Sequence, residues 1–425
     1  MSSALRSTGL TQLPTHGIAG ASANAEKLDA LTSLRFFAAM MVAVLHTAKY
    51  LMRCDDDPLA HVALQQGVSF FFVLSGFILF YKYPRLEDAP ACFKFWVYRV
   101  FRIWPAHVTT ALLFVSTLPS FLWWTAGSRT PWVILSNVTM LHAFHPSVKF
   151  YFGLNPPSWS ISCEFFFYLM FPLLLAGWNR NWLIKLAGSA CVVLAVLVAY
   201  SLYGPHEFSQ NNLYFLRWAV YINPVVRIFE FALGMSTALL YSRTITSFAK
   251  WTVSEVTRLQ VAALLVTFIS LAICSMQIQV HPTTMPSPYS EWLIGSGGAF
   301  AYAFLIFAMA QTKGSCASAL SNPVLVWLGE ISYSIYLVHY LLLDIYLVYL
   351  APFCVATNQP IWLCYASYWA ALIAVCAAIY YLVESPARKL FPKIILGAMK
   401  LSTLQPRHVE NASNSERVQV PGSAR

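Results

Sequence analysis

Residues 28–46, LDALTSLRFFAAMMVAVLH, decide how the rest of the chain is read. The stretch is long and apolar enough to cross a bilayer, yet it carries an arginine and a histidine, which hydrocarbon does not accept without a partner or a task. Arg35 and His46 are separated by ten residues. At about 100° per residue the offset is about 1100°, within about 20° of three full turns, so the two share one helix face. At about 1.5 Å per residue they stand about 16 Å apart along the axis, the cation near one membrane surface and the imidazole well inside.

Composition extends this first span to the whole chain. Of 425 residues 58% are hydrophobic and only 10% charged, and the mean hydropathy is +0.59. That lies outside the range of a soluble domain and predicts an all-α, polytopic membrane bundle. Apolar runs of membrane-crossing length fall at 31–50, 63–82, 97–118, 159–177, 182–202, 218–239, 256–276, 292–310, 324–349 and 361–383, about ten helices in all. The run 136–144 is too short to cross and reads as an outer loop or a re-entrant piece.

Basic residues set the orientation, because Lys and Arg accumulate on the cytoplasmic side. With both termini cytoplasmic, only Lys49, Arg53, Arg129, Lys149 and Arg217 fall outside and Arg227 mid-span, leaving 21 of the 27 Lys and Arg inside. The acidic run Asp55-Asp56-Asp57 falls outside. This bias accounts for most of the net charge of +10, so a nucleic-acid partner is not implied; the partners expected from charge are membrane lipids. The nine cysteines are scattered without C-x-x-C or finger spacing, so neither a disulfide framework nor a metal site is expected. Residues 1–27 lack the pattern of a cleaved signal and read as a disordered cytoplasmic tail, as does most of 391–425; the membrane domain between them spans 28–390 as a stand-alone module.

Few other residues in the spans can carry chemistry. Arg99 and Arg102 are three apart on one face at the inner end of the third helix; alone they read equally as anchors reaching lipid phosphates. The fourth span opens Pro156-Pro157-Ser158-Trp159-Ser160, with Glu164 one turn past Ser160 on the same face and about 9 Å below Ser158. By the same arithmetic His46 lies about 6 Å below Tyr50, at similar depth. A carboxylate there is costly and lines a polar cavity more often than it packs, which makes Glu164, with Ser160 and Trp159 beside it, a candidate. Arg227 and Glu230 sit mid-span at i, i+3 and read as charges that neutralise each other at the cavity wall. In the ninth span ISYSIYLVH presents Tyr333 and ends in His339, either a further cavity residue or a satisfied core histidine. His339 and Asp344 spell H-x-x-x-x-D, but about 140° separates them on a helix, so they form no dyad. His107, His142 and His145 read as structural.

Several blocks, taken together, resemble one family. R-x10-H on the first span, GVSFFFVLSGFILFY (67–81), YRVFRIWP (98–105), SWSISCEFFFYLMFP (158–172), RIFEFALGM (227–235), LGEISYSIYLVH (328–339) and VESPARKL (383–390) occur in the order seen in the acyltransferase 3 family, integral membrane enzymes that move acyl groups from coenzyme A thioesters to hydroxyls of surface glycans. The chain departs from the family pattern at Ser69, where an acidic residue is common, and near His107, where a tyrosine is. The resemblance implies a plasma-membrane enzyme, of the bacterial inner membrane, with acyl-CoA as co-substrate, acetyl-CoA by default, and a glycan or lipid-linked saccharide as acceptor. Arg35, Arg99 and Arg102 would then hold the phosphates of coenzyme A, whose pantetheine arm spans about the 16 Å between Arg35 and His46. His46 would act as general base with Glu164 behind it, in a direct transfer or, alternatively, through an acyl-histidine.

Two other classes fit the composition. A proton-coupled transporter of a small anion or sugar derivative would also need intramembrane His, Glu and Arg, but no internal repeat or pair of broken helices is visible. A non-catalytic partner in glycan assembly leaves the buried charges without a task.

Overall fold

The computed structural model describes residues 27–48, 58–119, 130–278, 284–357 and 359–404, and among these every regular element is a helix. The expectations for residues 1–26, the Asp55–Asp57 run, Lys49, Tyr50, Arg53, Arg129 and the chain beyond 404 lie outside the described residues.

Nine helices among the described residues are long and apolar enough to cross a membrane. The principal helices are α1 (Asp29–Thr47), α2 (Gly67–Lys82), α3 (Ala89–Thr117), α4 (Trp159–Leu175), α5 (Trp178–Tyr203), α6 (Pro224–Phe248), α7 (Val253–Ser275), α8 (Ala299–Met309), α9 (Ser332–Ile345), α10 (Ile361–Ile379) and α11 (Ser385–Leu404). The expected span at 97–118 lies in α3, whose 29 residues give about 44 Å of helix but whose Arg99, Arg102, His107 and neighbouring threonines lower its hydropathy below that of the nine.

Local chemistry fixes the ends. Asp88 accepts the Ala91 N–H at 2.7 Å and Pro90 occupies the first turn of α3. Asn223, ahead of Pro224, accepts the Val225 N–H at 3.0 Å to open α6. A capping box of Thr252 and Glu255 opens α7. The span expected to run unbroken over 324–349 is interrupted: one helix, Pro323–Glu330, stops, and α9 restarts after Ile331 with the Ser332 hydroxyl donating back to the Gly329 carbonyl at 2.7 Å. Gly329 itself lies against the Thr32 carbonyl of α1, where a Cβ would collide.

Helix α2 is the centre of the bundle, and α6 is its main partner. A Cβ on Gly76 would overlap the Phe231 carbonyl and one on Gly234 the Val73 carbonyl, so the two backbones touch. Lipid offers no hydrophobic drive between helices, and such close approach through small residues is what joins them. Helices α5 and α7 are peripheral and turn Leu183, Ile184, Leu202, Leu265, Phe268 and Ile269 outward, toward where acyl chains would lie. The segment 391–425, expected to be largely without structure, is helical as far as Leu404: α11 packs along α3, with Phe391 stacked on Phe101 at 5.3 Å between ring centroids. Its apolar residues alternate with Lys389 and Lys393 at helical spacing, a pattern that suits a membrane surface.

Candidate active site

A cavity of about 120 Å³ lies between α1, α2, α3, α4 and α9. Arg35, Arg99 and Arg102 line it with Glu164, Tyr168 and Tyr333, and Ser160 and Tyr336 line it with Val68 and Phe71. The three arginines expected to cluster do so, each on the helix face that sequence spacing assigns it. Arg99 donates to the Tyr83 hydroxyl at 2.9 Å and lies over the ring of Phe95. Neither Arg35 nor Arg102 has a hydrogen-bond or ion-pair partner among the described residues, so their planar, multidentate guanidinium groups face the cavity with donors to offer. The charges of Glu164 and Glu384 act on both from a distance. Such a set, cationic in excess and walled by aromatic rings, suits a multiply charged anion such as a phosphate ester.

Glu164 belongs to this arginine end. The Tyr168 hydroxyl donates to its carboxylate, and His46 is hydrogen-bonded to His339. The expectation that His46 and Glu164 share a depth took Ser158 as the membrane edge. Asn155 to Ser158 are instead fully buried: Asn155 donates to the Leu337 carbonyl at 2.8 Å, and the Tyr336 hydroxyl donates to the Pro157 carbonyl at 3.1 Å. Helix α4 therefore starts level with Tyr336 and Leu337, just short of His339, and Glu164 lies about one and a half turns deeper.

His46 meets His339. Nδ1 of His46 is 2.9 Å from Nε2 of His339, the rings are within 12° of coplanar, and Nδ1 of His339 is 3.1 Å from the Ile335 carbonyl. A centroid separation of 5.2 Å at that angle is an end-to-end hydrogen bond rather than face stacking. His339 is fully buried and His46 half-buried. Tyr336 bridges the two ends of the site: it lines the cavity, packs on His339 at 5.9 Å between centroids, and receives the Ser160 hydroxyl at 2.8 Å.

Among the other expected cavity residues, Ser160 and Tyr333 line it, whereas Trp159, Arg227, Glu230 and His339 do not. Trp159 is one residue, about 100°, round from Ser160 and packs on Tyr221 instead. Arg227 and Glu230 pair with each other at 3.0 Å, both fully buried, with Arg227 bonded to Ser296 and 4.9 Å from the ring centres of Phe72 and Tyr221. They form a layer behind the cavity wall that Phe72 provides. His107 and His142 stack in parallel at 5.8 Å above the start of α4, bonded to the Asn137 carbonyl and the Ser158 hydroxyl. Burial and the neighbouring His107 push His142 down to about 3, so it stays neutral there.

Sequence reasoning passed over Tyr168, Tyr336 and Glu384. Tyr168 stands at i+4 from Glu164, a same-face spacing that could have found it. Glu384 has no such local signal: only the structure shows it at the end of the π-helical turn Tyr380–Glu384, buried to 1% exposure and accepting from Ser334 at 3.1 Å.

Comparison with known proteins identifies the family. A family model described as "Acyltransferase domain" matches residues 28–381. Acyltransferase MdmB of Streptomyces mycarofaciens is 30% identical over 337 residues, covering 75% of this chain and 79% of its own. Nodulation protein 10 of Rhizobium leguminosarum bv. viciae is 25% identical over 394 residues, covering 85% and 94%. YrhL of Bacillus subtilis (strain 168), provisionally named a peptidoglycan O-acetyltransferase, is 26% identical over 317 residues, covering 64% of this chain and 43% of its own. No solved structure matches the chain.

Proposed function

The chain belongs to the acyltransferase domain family and is a multi-pass membrane enzyme that transfers acyl groups; from that premise we propose that it carries an acyl group, acetyl by default, from cytoplasmic acyl-CoA to a hydroxyl of an extracytoplasmic saccharide. The observation that carries this reading is the pair of guanidinium groups, Arg35 and Arg102, that line one cavity with no hydrogen-bond or ion-pair partner among the described residues, Arg35 on the same helix as His46. Coenzyme A brings a diphosphate and a 3′-phosphate, which guanidinium groups bind bidentately. The name of YrhL supports a glycan-type acceptor, and the plasma membrane, the bacterial inner membrane, is where such an acceptor and cytoplasmic acyl-CoA meet.

In this reading His46 takes the proton of the acceptor hydroxyl as its oxygen bonds to the thioester carbonyl. The carbon–sulfur bond then breaks, and the departing thiolate recovers the proton from His46, giving ester and free coenzyme A. Holding donor and acceptor together in a dry site supplies much of the acceleration. Direct transfer is favoured over an acyl-histidine because the half-buried His46 needs only to reach the hydroxyl, not to be displaced from a covalent adduct.

The test is transfer of radiolabelled acetyl from acetyl-CoA to surface saccharide by the purified protein in liposomes, wild type against H46A. Transfer that vanishes in H46A while coenzyme A still binds is the expected result. Solute flux driven by a proton gradient, with no thioester consumed, would overturn the proposal in favour of a transporter.

A further inference from the structure

We propose that His339 is the positioning residue for His46, holding its ring in the tautomer that keeps a lone pair on Nε2. The inference rests on the reading of His46 as the base. Its starting point is the Ile335 carbonyl, which can only accept. Nδ1 of His339, 3.1 Å away, therefore carries the proton. The ring being neutral, Nε2 of His339 holds a lone pair and must be the acceptor of the 2.9 Å bond to His46. Nδ1 of His46 is then the donor, and the remaining lone pair of that ring is on Nε2. A backbone carbonyl four residues away thus fixes, through two imidazoles, which nitrogen of His46 can act as base.

The surroundings of His339 suit that task and no other step in the reaction. It is fully buried, so it meets no substrate; His46, half-buried, is the one a hydroxyl reaches. Its own backbone is held by the Tyr368 hydroxyl, which donates to the His339 carbonyl at 2.8 Å, and by Asn155 on the Leu337 carbonyl. The side chain is pinned between the ring of Tyr336 and that of His46. When His46 takes up a proton on Nε2, the lone pair of His339 faces the new imidazolium and stabilises it, the part a buried carboxylate plays behind a catalytic histidine. Here a neutral acceptor does so, which keeps a second formal charge out of the membrane.

The experiment compares H339L and H339Q with wild type in steady-state transfer. H339L removes the acceptor; kcat should fall about a hundredfold or more while the KM for acyl-CoA stays put, since the arginine cavity is untouched. H339Q places an amide oxygen near the position of Nε2 and should recover about tenfold over H339L. A wild-type kcat in H339L, or an H339Q no better than a folded H339L, overturns the assignment. A second measurement needs no variant to fold beyond the one that assigns the signal. In protein labelled with 15N-histidine, the His46 resonance, identified by its loss in H46A, should report the Nδ1–H tautomer, the one free imidazole side chains favour less. An Nε2–H signal overturns the proposal. The two levels separate cleanly: H46A that retains kcat removes the base itself, whereas an inactive H46A beside a fully active H339L removes only the role of His339.

Discussion

Glu164 accepts the hydroxyl proton of Tyr168, one turn further along α4, and both face Arg35, Arg99 and Arg102 across the same cavity. A carboxylate there offsets the arginines and repels an incoming phosphate. Glu164→Gln should therefore lower the KM for acyl-CoA severalfold, more at low salt, and leave kcat within about tenfold of wild type. Steady-state kinetics at two ionic strengths decide it. A hundredfold loss of kcat at constant KM would instead put the carboxylate in the service of His46.

Arg35 and Arg102 should behave alike. Replacing either by Ala removes a charge-assisted contact of about 1.5–3 kcal/mol, which is about ten- to a hundredfold in donor affinity. Arg35→Lys keeps the charge but loses the bidentate fork and should be intermediate. The expected signature is a raised acyl-CoA KM. An unchanged KM with less folded protein would make these residues lipid anchors.

The backbone contact of α2 with α6 leaves no room for a side chain at Gly76 or Gly234. Either one changed to Ala should cost about 1–3 kcal/mol, read as a lower melting temperature in detergent. Gly188, in peripheral α5 with open space around its would-be Cβ, is the internal control: Gly188→Ala should be neutral or stabilise by about 0.5–1 kcal/mol. Equal loss at all three sites would show that helix contact is not the cause.

For Arg227 and Glu230 the prediction is asymmetric. Removing one partner strands a fully buried charge and should cost about 3–5 kcal/mol, so R227M and E230L alone should each insert or fold poorly. The double variant R227M/E230L should recover most of the folded yield. If the double variant folds but transfers nothing, the pair has a part in the reaction that its place behind Phe72 does not suggest.

Helix faces were legible in the sequence because they depend only on local periodicity. Arg35 with His46, Arg99 with Arg102 and Ser160 with Glu164 each share a face by counting, and nine of the ten runs read from apolar composition overlap helices long and apolar enough to cross, 97–118 being the exception. Depth was less legible. Counting down from Ser158 misplaced Glu164 because residues 142–158 fold over the bundle and bury the start of α4, a tertiary fact with no local signature. The same holds for the break at Ile331, where nothing in an apolar run announces that Gly329 must fit against Thr32. The His46–His339 pair joins residues 293 positions apart, and only packing brings them together.

Arg35 and His46 ride on one uninterrupted helix, α1, and this has a mechanical consequence. Helices in a bundle slide and tilt against one another, so most distances inside a membrane protein breathe. The interval between these two groups is set by hydrogen bonds within a single strut, and a tilt of α1 carries both ends together. The molecule thus contains a rigid gauge whose graduations are helical turns. A single residue inserted between its ends would lengthen it by only about 1.5 Å but swing His46 through about 100°, away from His339 altogether.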